Sequence, residues 1–157
     1  MVHPPVFVRA FVTRENVNEV VTGAGFTGEI DLLSIDIDGN DYWIWQALEC
    51  VKPRFVIAEA HPELGREEWV MPYDAQFDAR SAPPGTWMGA SPAAMTGLAD
   101  RLGYRLVAGN LYGFNMFFAR RDLAEELPTI EFDELFRHGS YQREPIEKNI
   151  DHEIAGQ

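Results

Sequence analysis

The stretch IDLLSIDIDGNDYW, residues 30–43, constrains the fold more than any other part of the chain. Residues 30–36 form a short, nearly continuous apolar run of the kind typical of parallel strands buried on both faces. The run ends in a turn crowded with acids and amides: Asp36, Asp38, Asn40 and Asp41 surround Gly39. YWIWQALECV (42–51) then has helical length and is closed by Pro53, and RFVIAEA (54–60) reads as a second buried strand. Strand, short loop, helix and strand within about thirty residues make a βαβ unit. Its crossover is expected to be right-handed.

The flanking segments extend this unit. VFVRAFV (6–12) is β-branched and aromatic and predicts a strand. TRENVNEVVTGAGF predicts a helix, with Thr13 as N-cap, Asn16 where a capping box carries Glu, and Val17, Val20 and Val21 at helical spacing. Gly23 and Gly25 stop it. Residues 61–90 lack periodicity, and such long loops are usually functional or disordered. Trp69, Met71, Tyr73, Phe77 and Trp87 argue against disorder, so the segment reads as an ordered lid. SPAAMTGLADRLG (91–103) predicts a helix capped by Ser91 and opened by Pro92, with Met95, Leu98 and Leu102 on its apolar face. YRLVAGN (104–110) and FNMFFARR (114–121) predict a hairpin. IEFDELFRHG predicts a further helix, followed by a polar tail. The fold class is therefore α/β: a partial Rossmann-like open sheet with a parallel centre, an antiparallel edge hairpin and helices on both faces. Residues 1–123 form one domain, and 124–157 a helix and tail.

Composition narrows the function. The chain's 157 residues suit one domain with a real core. A net charge of −12 without a basic stripe argues against nucleic acid and anionic membrane surfaces as partners. No apolar run approaches the roughly 20 residues that span a bilayer. The start of the chain does not read as a signal peptide, so the expected location is cytoplasmic. A single cysteine, Cys50, excludes an internal disulfide and a multi-cysteine zinc site and reads as a small hydrophobe on a helix face.

In open α/β sheets, ligands sit outside the carboxyl ends of the strands. Neighbouring parallel strands lie about 4.8 Å apart. The turn at 36–41 and the end of the next strand, Glu59 and His61, should therefore face one crevice. Asp36, Asp38, Glu59 and His61 are the candidate catalytic residues, and Asp36 and Asp38 could hold a divalent cation. Asn40, Trp43 and Asn115 are candidate substrate contacts. Each has a structural alternative: the acids and Asn40 as helix caps, Glu59 as a buried acid paired with His61 or an arginine, and Asn115 as a satisfier of hairpin backbone groups. Trp43 and Trp45 lie on opposite sides of their helix, one in the core and one under the long loop.

An EF-hand is excluded, because Gly39 stands fourth from Asp36 where that loop needs it sixth. LLSIDIDGND resembles the first motif of haloacid-dehalogenase-type phosphatases, in which Asp36 would be nucleophile and Asp38 acid/base. The supporting Ser/Thr, Lys and paired Asp strand ends of that family are missing. IDLLSIDIDGNDYWIWQAL, PRFVIAEAHPE and GASPAAMTGLADRLGYRLVAGNLYGFNMFFARRDL together resemble the C-terminal half of class I S-adenosylmethionine-dependent methyltransferases, nearest the FkbM-type group. Asp36, Asp38 and Gly39 match that family's acidic turn, Glu59 its next strand end, and Gly103-Tyr104 its GY step. The resemblance spans roughly residues 13 to 123. It implies methyl transfer to an oxygen or nitrogen acceptor on a small molecule or sugar, with S-adenosylmethionine as cofactor. That family holds the cofactor with an N-terminal half that this sequence lacks; VTGAGFTG (21–28) follows a helix and precedes a strand, the reverse of a cradling turn. The chain thus resembles a half-domain. Its parallel edge is expected to be covered by VFVRAFV, by the tail or by a second copy. A non-catalytic remnant that binds or assembles is the alternative reading.

Overall fold

The structure is a computed structural model and describes residues 4–110, 113–131 and 134–135. Its helices and strands are α1 (Val17–Gly23), β1 (Gly28–Ile35), α2 (Asp41–Ala47), β2 (Val51–Glu59), α3 (Pro92–Arg101), β3 (Tyr104–Gly109) and β4 (Asn115–Arg120).

Thr13 and Asn16 set up α1 by bonding each other. Thr13 N–H donates to Asn16 Oδ1 at 2.8 Å, and Asn16 N–H donates to Thr13 Oγ1 at 3.3 Å. The pair has the reciprocity of a capping box, but it closes a turn ahead of the helix: α1 begins at Val17, so its N-cap is Asn16 and not the expected Thr13. One turn later, Asn18 ties α1 to the exit of α2. Its amide donates to Ala47 O at 2.7 Å, and its Oδ1 accepts from Glu49 and Cys50 N–H at 2.8 and 2.9 Å. Truncating Asn18 to alanine orphans those backbone groups. Asn18→Ala is expected to cost about 1.5 kcal/mol, read as an earlier urea midpoint.

The predicted helix over 42–51 is shorter, because the chain is already extended at Leu48 and enters β2 at Val51. Cys50 consequently lies in the connection, half-buried, and not on a helix face. Pro53 sits inside β2 instead of closing a helix. It is tolerated because pairing with β4 begins only at Phe55, so its missing N–H breaks no bond on that side.

The sheet has order β1-β2-β4-β3, with β1 parallel to β2 and the remaining pairs antiparallel. The fold is thus α/β with an open mixed sheet. The register aligns Leu33 with Val56, Ile35 with Ala58, Val56 with Phe118 and Leu106 with Phe118, so these side chains share one face. That face carries the core, into which α1 sends Val17, α2 sends Ile44 and Trp45, and α3 sends Met95, Leu98 and Ala99. The described helices therefore cover one face, not the two expected. The other face shows Leu32, 53% exposed, beside half-buried Phe55, Ile57 and Phe117. The unbroken apolar run of β1 thus belongs to an edge strand and not to one covered on both sides.

VFVRAFV forms no strand. Val6, Phe7, Val8 and Phe11 are exposed on irregular backbone. High β-propensity yields a strand only where a sheet edge accepts the backbone hydrogen bonds, and this segment pairs with none. Residues 61–90 are irregular as read, apart from 3-10 turns at Pro62–Leu64 and Ala79–Ser81. The stem of the loop is closed by a Val70–Ala90 bridge and by bonds from His61 N–H to Ala90 O and from Met71 N–H to Gly89 O. The loop wraps α2: Trp43 Nε1 donates to Met71 O at 2.8 Å, while Trp45 is buried against Tyr104 and Phe118. In α3, Ser91 Oγ accepts from Ala94 N–H, as its N-cap position predicts. In the hairpin, Asn110 and not Asn115 satisfies the turn, its Oδ1 accepting from Gly113 and Asn115 N–H.

Beyond β4 the chain returns to the core. Ile130 N–H donates to Leu106 O, and Leu135 is buried in the same cluster. Most of the helix expected in IEFDELFRHG falls outside the described residues. No helix among the described residues is long and apolar enough to cross a membrane.

Candidate functional site

Two backbone facts build the site. β1 and β2 run parallel side by side, so Ile35 and Ala58 end level and deliver Asp36 and Glu59 to the same end of the sheet. The chain then reverses sharply: Asp38 adopts φ +55° and Gly39 φ +147°. Aspartate is one of the few side chains that visit the left-handed region readily. Gly39 is required for a second reason, since a Cβ there would lie 2.5 Å from the Phe77 ring.

Asp41 pins this turn. It is 2% exposed, and its two carboxylate oxygens each accept one backbone N–H, from Ile37 and from Gly39, at 2.9 Å. Burial pushes its carboxyl above the ordinary range, and those two bonds oppose the shift. Asp41 thus holds the loop before α2 in shape.

With the turn fixed, Asp36, Asp38 and Glu59 each bring one carboxylate oxygen to within 4.8 Å of the others. The Asp36 carboxyl is raised, by partial desolvation and by the neighbouring Glu59 and Asp38 charges, while His61 opposes the shift. Hard oxygen donors this close suit a divalent cation such as magnesium or manganese. Glu59 Oε2 is buried without a hydrogen bond, its nearest cationic neighbour being His61 Nε2 at 3.7 Å.

His61 lies between two acids. Its Nδ1 is 2.7 Å from Glu63 Oε1, and its Nε2 is 3.7 Å from Glu59 Oε2. Burial alone would lower its pKa, but the two carboxylates outweigh burial and hold the imidazolium up to about 10. The Glu63 carboxyl is lowered in turn, burial notwithstanding, by its bond to His61. The two flanking carboxylates favour the imidazolium, so His61 offsets acid charge beside Glu59.

The remaining candidates divide. Asn115 pairs with Glu59 across β2 and β4, which places it at the crevice. Asn40 lies on the other flank, 5% exposed, with Nδ2 donating to Asp74 O and Oδ1 unpartnered. Trp43 is held under the loop by its bond to Met71 and its edge contacts with Tyr42 and Tyr73, a packing role. Glu63 and Gly89 were not legible beforehand. Glu63 had a faint signal, an acid two residues from a histidine across a proline; Gly89 had none, because its contact with His61 closes a long loop.

No protein-family model, curated protein or solved structure matches the chain.

Proposed function

We propose that the crevice at the ends of β1 and β2 holds a divalent cation and, through it, the oxygen or nitrogen acceptor of a group-transfer reaction. The carrying observation is the convergence of Asp36, Asp38 and Glu59 within 4.8 Å at the carboxyl ends of adjacent parallel strands. These three side chains would hold the cation, which would lower the pKa of a bound hydroxyl or amine. His61 and Glu63 would fix Glu59, and the irregular loop would limit water.

The sequence resemblance to FkbM-type methyltransferases gives methyl transfer from S-adenosylmethionine as the reaction, within a partial Rossmann-like arrangement, on a small-molecule or sugar acceptor. The described residues do not fit that cofactor: the G-x-G of residues 23–25 closes α1 and leads into β1, so its backbone ends a helix where a cradle must begin one. The cofactor-binding part would come from another segment or chain.

A second reading, a non-catalytic assembly module, is favoured by β1 standing at the sheet edge and by the exposed Val6, Phe7 and Val8. Calorimetry separates the readings. Manganese should give saturable heat, weakened at least tenfold by Asp36→Asn; no heat at millimolar manganese overturns the cation site. Saturable heat with S-adenosylmethionine favours the methyltransferase, and silence at millimolar ligand leaves the assembly module standing.

A further inference from the structure

β1 is the outermost strand on its side of the sheet and pairs with β2 alone among the described residues. Its free edge is open: Glu29, Asp31, Leu32 and Ser34 are all exposed. Such an edge offers a row of backbone donors and acceptors to any strand that fits it. The same chain carries a strand-prone segment with no sheet to join. Phe7 is 87% exposed on irregular backbone, and Val6 and Val8 are exposed beside it.

We infer that residues 6–10 of a second copy add to the β1 edge as an antiparallel strand, and that the exchange is reciprocal. Charge selects this occupant. The charged side chains of β1 are Glu29 and Asp31, both acids. Asp31 has 91% of its side chain exposed, with Arg54 at 3.2 Å. Pairing β1 with β1 of a copy would bring both chains' Glu29 and Asp31 into one seam, and like charges across strands are destabilising. Residues 6–10 carry the opposite sign, their single charge being Arg9. With Arg9 opposite Asp31, antiparallel register sets Phe7 opposite Leu33 and Val8 opposite the exposed Leu32. One alignment thus gives the ion pair and both apolar pairs.

The base of the segment is already placed for this. Residues 10–12 line a groove with Ile37 and Asp38, beyond the end of β1, and Phe11 O accepts from the Asn16 amide at 2.9 Å. In a twofold pair the carboxyl end of one β1 faces the amino end of the other, which is where Ala10 would sit opposite the second copy's Ile30. The chain's own segment, joined to β1 through the single helix α1, would pair in parallel, the less stable arrangement. The inference deepens the assembly reading and rests on it: it names the partner as a second copy, whether or not a cation occupies the crevice.

Light scattering on the full chain, in EDTA, tests the exchange. The wild type is expected to be a dimer at about 100 µM. Val8→Pro removes a strand donor from an exposed segment and should leave a monomer. Arg9→Glu and Asp31→Lys should each weaken dimerisation about tenfold, because both ion pairs of the dimer become like-charge pairs. Both replaced side chains are exposed, so the fold is unaffected. An equimolar mixture of these two variants should recover the wild-type affinity, since in the mixed dimer each replaced charge meets its opposite on the other chain. That recovery also excludes pairing within one chain. A monomeric wild type overturns the inference and the assembly reading with it. A dimer that survives Val8→Pro, or a mixture that recovers nothing, overturns the strand exchange and leaves assembly to another surface.

Discussion

Gly89→Ala should destabilise the chain by about 3 kcal/mol. Gly89 sits at φ +74°, where any other residue strains the backbone. That term alone is about 1–2 kcal/mol. The larger problem is space: a Cβ on Gly89 would stand 2.3 Å from His61 Cδ2 and 2.6 Å from Nε2. The imidazole cannot withdraw, because Glu63 holds its other nitrogen at 2.7 Å. The backbone cannot easily yield either, since Gly89 O accepts from Met71 N–H at the loop stem. Overpacking of this kind adds about 1–3 kcal/mol. Gly85→Ala is the internal control: φ is +82°, yet nothing lies within 4 Å of the added methyl, so only the backbone term applies. Urea unfolding of both variants should place Gly85→Ala midway between wild type and Gly89→Ala. Equal midpoints for the two variants would mean that Gly89 does not support His61.

Why Gly89 was hidden in the sequence while Gly39 was visible follows from contact distance along the chain. Gly39 sits in a short acidic turn between a strand and a helix, where local pattern alone asks for a flexible residue. Gly89 earns its role from a histidine on the far side of a long irregular loop, and loop closure leaves no periodic trace. The same division runs through the fold. The Trp43/Trp45 split was readable because residues two apart on a helix face nearly opposite ways, and the structure puts Trp45 in the core and Trp43 under the loop. The parallel pair was readable from two apolar strands joined by a helix. Which faces are covered was not. VFVRAFV carries every local mark of a strand and forms none, and IDLLSID reads as doubly buried while Leu32 is 53% exposed. Both errors have one cause: propensity and hydrophobicity report what a segment tolerates, whereas pairing and coverage depend on neighbours distant in sequence. Within the candidate site, the convergence of Asp36 and Glu59 follows from strand adjacency alone, but the protonation state of His61 depends on Glu63 and burial, which only the three-dimensional arrangement supplies.

That protonation state makes the second large effect a pH dependence. His61 has a folded-state pKa of about 10, against roughly 6.5 in an unfolded chain. The folded state therefore binds the proton more tightly. The stability this contributes is fully present below about pH 6.5 and is lost as the pH rises through about 10. Tyr73 and Tyr104 are both held above the usual tyrosine range, chiefly by burial, and any other group that titrates between pH 7 and 9.5 is shared with a His61 variant, so the difference between the two curves isolates His61. Urea unfolding in EDTA should show the wild-type midpoint falling steadily across that window. His61→Gln keeps a polar side chain of similar reach but cannot carry the charge, so its midpoint should stay flat there. At pH 7 the variant should be less stable by about 2 kcal/mol, a value below that for a fully buried pair because Glu63 remains 39% exposed to screening water. The two curves should converge above pH 10, where the wild-type imidazolium gives up its proton and both chains face Glu59 and Glu63 without a cation. Parallel curves across the whole window would show that the Glu63–His61–Glu59 arrangement carries no charge of its own, and that Glu59 is held at the crevice by packing alone.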